Sequence, residues 1–459
     1  MTLIEDYALL ADTETAALVG KDGSIDWLAL PRFDDGAVFA ALLGTRENGH
    51  WTLAPVGGIR DVHRRYRPGT LILETTFVTD EGQVTVIDAM IPRDERPNLV
   101  RIVRGDRGRV PMHTVLRFRF DYGSIVPWVR KVDGLLMAIA GPDRLLLATP
   151  VETHGQDHAT TAEFTVAEGE QVPFELAWSP SHLSWDPPPD PFAALAGAEA
   201  WWTEWTAKGT YDGSYAEDVQ ASLTVLKGLT HAPTGGLVAA PTTSLPEEIG
   251  GSRNWDYRFC WLRDATFSLI SLLNGGYAEE AEAWRDWLLR AVAGDPEGLQ
   301  IMYGIGGERR LPESELDWLA GYEGSGPVRI GNAAVDQFQL DVYGEVMDAL
   351  HQGRTYGLDT DQDAWSLQRA LLDFLEGNWR EPDEGIWEVR GPRQHFTHSK
   401  VMAWVAMDRA VQAVEGFGLP GPVDRWRRVR EEIRSEILEH GVDDRGVFVQ
   451  RYGAPDLDA

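Results

Sequence analysis

Cysteine is almost absent: Cys260 is the single one in 459 residues, so no intramolecular disulfide can form, which fits a reducing compartment. Positive charge is scarce as well. Lys and Arg number 42 against 72 Asp and Glu, a formal net charge of −30. That balance argues against nucleic-acid binding, which needs clustered basic side chains to neutralise phosphates, and leaves neutral or cationic partners as the expectation. No apolar run approaches the roughly 20 residues of a membrane helix. The opening MTLIEDYALLADTETAALVG has neither a basic n-region nor an unbroken apolar stretch. The expectation is a cytoplasmic chain with no membrane partner. What is present, 43% hydrophobic and 25% charged residues, is the composition of a globular protein of two or three domains.

Residues 1–185 alternate in hydrophobicity over short, turn-bounded runs, the pattern of strands. Residues 70–90 (TLILETTFVTDEGQVTVIDAM) are two β-branched segments broken at Asp80, Glu81 and Gly82, which reads as a hairpin. In Leu116-Arg117-Phe118-Arg119-Phe120 the arginines fall opposite the apolar residues, as in a half-buried strand. Gly20-Lys21-Asp22-Gly23-Ser24 is too short for a phosphate loop and reads as a hairpin turn. So many strands in one block predict an antiparallel β-sandwich. The stiff Trp185-Asp186-Pro187-Pro188-Pro189-Asp190 segment ends it, and residues 192–205 look helical. From Ser214 the period becomes helical: Ser214 and Glu217 have capping-box spacing, and Val219, Leu223 and Leu226 share a face. Further helical runs near 260–274, 278–293, 333–352, 363–378, 396–415 and 422–440 bring the count from Ser214 to about seven. Long loops near 230–260, 294–332 and 379–395 alternate with short turns. Helical hairpins stacked around one axis put every second loop on one rim, where chemistry gathers.

The loops carry the candidate residues. Residues 250–265 (GGSRNWDYRFCWLRDA) set Trp255, Tyr257, Trp261, Arg263 and Asp264 at or before a helix start. Guanidinium donates to hydroxyl oxygens, carboxylate accepts their protons, and indoles cover the apolar faces of a sugar ring. A capping Arg-Asp pair beside core tryptophans is the structural alternative. In the second loop, a run dense in Gly and Pro holds Arg329 and Asn332, which either donate to hydroxyls or brace the loop. In the third, Glu388 stands beside Trp387 in GIWEVRG. A carboxyl packed on apolar surface keeps its proton to higher pH, as a general acid must. On the local sequence alone an ordinary surface glutamate is the commoner reading.

Other signals lead to no site. Asp359, Asp361 and Asp363 begin like a calcium loop, but Ala364 stands where Gly is required and Ala370 where a bidentate Glu is. His395 and His398 have no His or Cys partner at metal spacing, so neither a metal nor another cofactor is expected. Cys260, beside Trp261 and without a nearby histidine, reads as a buried structural thiol.

Four long segments in order, IEDYALLADTETAALVGKDGSIDWLALPRFDDGAVFAALLG, GGSRNWDYRFCWLRDA, PVRIGNAAVDQFQLDVYGEV and GIWEVRGPRQHFTHSKVMAWVAMDRA, resemble bacterial glucoamylase-type enzymes of glycoside hydrolase family 15, which include α-glucan exo-hydrolases and trehalases. The resemblance spans nearly the whole chain. It implies an N-terminal antiparallel β-sandwich over 1–185, a Pro-rich linker and bridging helix over 186–213, and an (α/α)6-type barrel of helical hairpins over 214–459. It further implies inverting release of glucose from an α-linked oligosaccharide or trehalose, without a cofactor. By the same resemblance Glu388 is the general acid, and Trp261, Arg263 and Asp264 grip the non-reducing-end glucose. Tyr257 then lies at the scissile bond, Trp387 is the indole before the acid, and Arg329 and Asn332 belong to the sugar pocket. One departure matters. Inverting enzymes use a second carboxylate to activate water, in this family a glutamate in a motif like EEYD, and no such motif occurs here. With about seven helices against about twelve in a closed ring, the barrel is expected to be incomplete, its uncovered faces inviting self-association. Turnover is then expected to be poor. Two other readings remain: a phosphorolytic enzyme, in which phosphate replaces both water and base, and a non-catalytic sugar-binding remnant.

Overall fold

The computed structural model describes residues 2–93, 96–185, 187–358 and 362–458. Asp186 of the Pro-rich segment, and Asp359 and Asp361 of the calcium-like run, lie outside the described residues. The chain forms two compact units. The first comprises residues 1–233, 240–258 and 314–330, and the second comprises 234–239, 259–313 and 331–459.

In the first unit, fifteen strands among the described residues join through antiparallel ladders. The 70–90 hairpin forms as Leu73–Thr79 and Gly82–Met90, and the Gly20 to Ser24 turn joins Ala16–Gly20 to Ser24–Ala29. Strand Asn98–Arg117 belongs to both layers. Its first half pairs with Gly82–Met90 and Gln171–Pro180, its second half with His50–Pro55 and Ala159–Ala167. Alternation therefore sends Val86, Leu145 and Phe174 from one layer against Leu53, Met112 and Leu116 from the other, all buried. Each such side chain contributes about 1.5–3 kcal/mol on burial. One expectation needs correction: the strand stops at Arg117, and Arg119 is not on an open face but only 6% exposed. The carbonyl of His158, in the turn after His154–Gln156, accepts a hydrogen bond from its Nη1.

The bridging helix is α1, Pro191–Thr206. Asp190 caps it by accepting from the amides of Phe192 and Ala193, and Leu195 and Ala198 pack on Ile87, Val100 and Ile102. Helix α2, Ala216–Gly228, starts after the expected capping box, which does not form. Tyr215 takes the N-cap position in a left-handed conformation with φ 60° and makes no side-chain cap bond. Within the same unit the 240–258 segment is anchored by Arg258, which forks onto Asp256 and donates to the carbonyls of Phe33 and Asp35.

The second unit holds α3 (Leu262–Gly275), α4 (Ala278–Ala291), α5 (Asp341–Thr355), α6 (Gln362–Asn378), α7 (Thr397–Phe417) and α8 (Val423–His440). Helix α5 packs on both α3 and α7, while α4 packs on α3, α6 on α5 and α7, and α8 on α7. An inner row of odd-numbered helices backed by even-numbered ones is the arrangement of stacked helical hairpins. Eight α-helices occur among the described residues, the bridging helix and the seven read from the period, against about twelve in a closed six-hairpin ring. The helix expected over 333–352 is split. Residues Ala333–Asp336 make a short 3₁₀ turn, and α5 begins at Asp341. Between them the amides of Phe338 and Leu340 donate to the carboxylates of Glu384 and Asp383 instead of helix carbonyls. Among the described residues no helix is long and apolar enough to cross a membrane.

Candidate active site

The first residues of α3 and α5, together with the loop before α7, make the site in the second unit. Cys260–Trp261 pairs with Met302–Tyr303, which pins Trp261 at the N-cap of α3 in an extended conformation. From there the indole Nε1 donates to Glu388 Oε1 at 2.7 Å. Glu388 itself ends a tight turn. Gly385 has φ 70° and Glu388 φ 52°, the Glu388 amide donates to the Gly385 carbonyl at 3.0 Å, and Gln337 Nε2 donates to the Glu388 carbonyl at 3.2 Å. A left-handed backbone at a glutamate costs on the order of 1–3 kcal/mol and persists where the surroundings over-determine it, commonly at functional sites. Glycine is required at 385 twice over, by its φ and because a Cβ there would meet the Phe396 ring at 2.6 Å.

Arg263 joins the parts. Its Nη1 donates to the Ile386 carbonyl at 3.2 Å, in the turn that presents Glu388, and its Nη2 to Asp264 Oδ2 at 3.1 Å. Trp261, Arg263, Gln339, Asp341 and Glu345 line one small recess. Burial pushes the Glu388 carboxyl up, the Trp261 N–H and the Arg263 charge pull it down, and Asp264 and Asp341 push it up again; the net shift is upward. Burial also raises Asp341 to about 6 against the opposing charge of Arg263. Burial and then the Asp341 charge raise Glu345 to about 8. For Arg263 burial works against the charge, but Asp264, Glu388 and Asp341 outweigh it and raise its pKa. His398 Nδ1 lies 4.0 Å from Asp341 Oδ2, and His398 Nδ1 and Asp341 Oδ1 are buried without a hydrogen-bond partner among the described residues. Buried polar atoms are nearly always satisfied, so such atoms beside the recess suit a polar ligand. The arrangement offers a carboxyl with an upward-shifted pKa next to a guanidinium and carboxylates able to grip hydroxyls.

Glu388, Trp261, Arg263 and Asp264 thus come together from distant parts of the sequence. Trp387 is 51% exposed, and its indole donates to Asp458 at 2.7 Å. Asn332 is buried, and its side chain accepts from the Ala334 amide to cap the 3₁₀ turn. Tyr257 and Arg329 fall in the first unit. There the Tyr257 carbonyl accepts from the Ala240 amide. Arg329 donates to the carbonyls of Ser252 and Asn254 and to Glu315, with its guanidinium 4.7 Å over Trp255. Loop bracing is therefore an observed role of Arg329 and Asn332. Sequence reasoning missed Asp341 and Glu345. Their signal was a pair of carboxylates at i and i+4 in the otherwise apolar stretch LDVYGEV, which puts both on one helix face.

Residues 213–459 match the model of Glycosyl hydrolases family 15 and residues 1–191 that of Trehalase-like, N-terminal. The chain belongs to glycosyl hydrolase family 15. A trehalase from Mycobacterium tuberculosis is 39% identical over an alignment covering 99% of this chain and 71% of that protein. A trehalase from Thermoplasma volcanium is 31% identical over 99% of this chain and 74% of its own length. Among solved structures, a bacterial glucoamylase complexed with acarbose superposes with a TM-score of 0.67 at 13% identity, over 98% of this chain and 70% of that one, a likeness of fold. As a family 15 member this chain is a glycoside hydrolase.

Proposed function

We propose that this family 15 chain cleaves the α-glucosidic bond of trehalose by inversion, with Glu388 as the general acid. The observation that carries the reading is the Trp261 hydrogen bond to Glu388 beside the Arg263–Asp264 pair. The trehalases among its relatives favour the disaccharide over longer glucans. Glu388 transfers its proton to the glycosidic oxygen as the C1–O bond breaks, and water attacks C1 from the opposite face, its surplus proton passing to solvent. Trp261, Arg263 and Asp264 hold the glucose ring, with Tyr257 and Trp387 assigned by resemblance alone. Arg329 and Asn332 are likewise assigned to the sugar pocket by resemblance alone. We take residues 1–185 as the sandwich, 186–213 as linker and bridging helix and 214–459 as the catalytic part, divisions supported by family matches over 1–191 and 213–459.

The test compares trehalose with α-glucosyl fluoride, whose leaving group needs little protonation. Glu388→Gln is expected to lower kcat on trehalose by about 100-fold or more and to affect the fluoride much less. Equal losses on both substrates would remove Glu388 from the acid role. Maltose and maltotetraose, assayed alongside, check the disaccharide preference. Glucose 1-phosphate as product in phosphate buffer would transfer the chemistry to phosphorolysis.

A further inference from the structure

Between the two layers of the first unit lies a cavity of about 500 Å³, within the size range of sites for small organic ligands. Its walls are residues around the end of Asn98–Arg117, the strands Trp128–Val132 and Leu135–Ala140, and the hairpin His154–Gln156 with Ala159–Ala167. Leu116, Phe118 and Leu136 supply apolar surface. Arg119 and Lys131 line it against one carboxylate, Asp157, with His154 and His158 beside them, while the Arg130 guanidinium lies on the other face of its strand, 4.7 Å over Trp128. In a chain of net charge −30 this is a local reversal of sign, opposite to the neutral or cationic partner that bulk charge suggests.

Arg119 is the central feature. It is only 6% exposed, and its Nη1 donates to the carbonyls of Phe118 at 2.7 Å and His158 at 3.3 Å. Among the described residues no carboxylate pairs with it and no acceptor meets its Nε or Nη2. Burial and the neighbouring Arg117 charge lower its pKa, against the smaller opposing effect of the Glu47 charge. With the nearby Glu47 engaged by Arg117, the Arg119 N–H groups that meet no protein acceptor are available to an anion entering the cavity. The turn Asp157-His158 has φ of 48° and 56°, the positive values of a two-residue hairpin turn, and it brings the His158 carbonyl to Arg119. At the opposite wall the exposed Lys131 is steadied by donating to the Thr153 carbonyl at 2.9 Å.

We propose that this cavity binds a phosphorylated sugar, its phosphate against Arg119 and its hydroxyls against Lys131, Thr153, Gln156 and Asp157 of the facing walls. A bare anion leaves most of the volume and the apolar surface unmatched, and a fatty carboxylate leaves the polar wall unpaired. The site lies wholly in the first unit and does not rest on the hydrolase reading.

Calorimetry of the full chain with glucose 6-phosphate, glucose and inorganic phosphate tests the inference. Glucose 6-phosphate is expected to bind saturably and at least about tenfold more tightly than either component, the scale of one charge-assisted hydrogen bond. Lys131→Ala, an exposed change that leaves the fold intact, is expected to weaken it about tenfold, and Arg119→Gln to abolish it. Arg263→Ala, in the other unit, is expected to leave it unchanged, which separates this site from the hydrolase recess. Binding no tighter than that of glucose or phosphate, or binding indifferent to Lys131→Ala, overturns the proposal.

Discussion

At the scale of single residues, the state of Glu388 is set by opposing influences that can be removed one at a time. The Trp261 indole N–H stabilises its ionised form and so pulls the pKa down against the larger effect of burial. Trp261→Phe keeps an aromatic ring but deletes that donor, so the carboxyl holds its proton to still higher pH. The alkaline limb of kcat/KM on trehalose, which reports loss of the acid's proton, is expected to move upward. A limb that stays in place or moves downward means that another group controls it. The Glu388 side chain was readable as a candidate from its Trp and Ile neighbours. Its hydrogen-bond partner, 127 residues away in sequence, was not, because spacing along a chain says nothing about which loops a fold brings together.

At the scale of elements, the inner row of helices depends on close approach. A Cβ on Gly344 in α5 would fall well inside contact with the Met402 carbonyl and side chain of α7. Gly344→Ala is therefore expected to destabilise the protein by about 1–3 kcal/mol, read as a lower urea midpoint with an unchanged slope. Gly377→Ala in α6, where a new methyl meets nothing within 4 Å, is the control and is expected to stabilise by about 0.4–1 kcal/mol. An equal response at both positions would show that helix propensity, not the crossing, governs. Helix locations were legible because one apolar stripe per 3.6 residues survives any packing partner. Their starts were less so. Ser214 and Glu217 have the right spacing but lose the cap to a left-handed Tyr215, and α5 starts late because Asp383 and Glu384 take the amides before it.

At the scale of the whole molecule, several buried acids hold protons in the folded state that the unfolded chain releases. Burial raises Asp341 and Asp383 from 3.8 to about 6, Glu175 from 4.5 to about 7 and Glu345 from 4.5 to about 8. Between the unfolded and folded values the native state binds more protons, so stability falls as pH rises through this window. Repulsion within a chain of net charge −30 acts in the same direction. The thermal midpoint is expected to be lower at about pH 8 than at about pH 5.5, and an equal or higher value at pH 8 would contradict the assignments. Strand alternation, helical period, the 20–24 turn and the family motifs could all be read from the letters, since each depends on neighbours within a few residues. The tertiary structure alone decided that Arg119 is buried over a cavity, that Asp341 and Glu345 join Arg263, and that residues 240–258 and 314–330 fold with the β-rich unit. Burial and charge pairing arise from contacts between residues tens to hundreds of positions apart, and no local pattern encodes them.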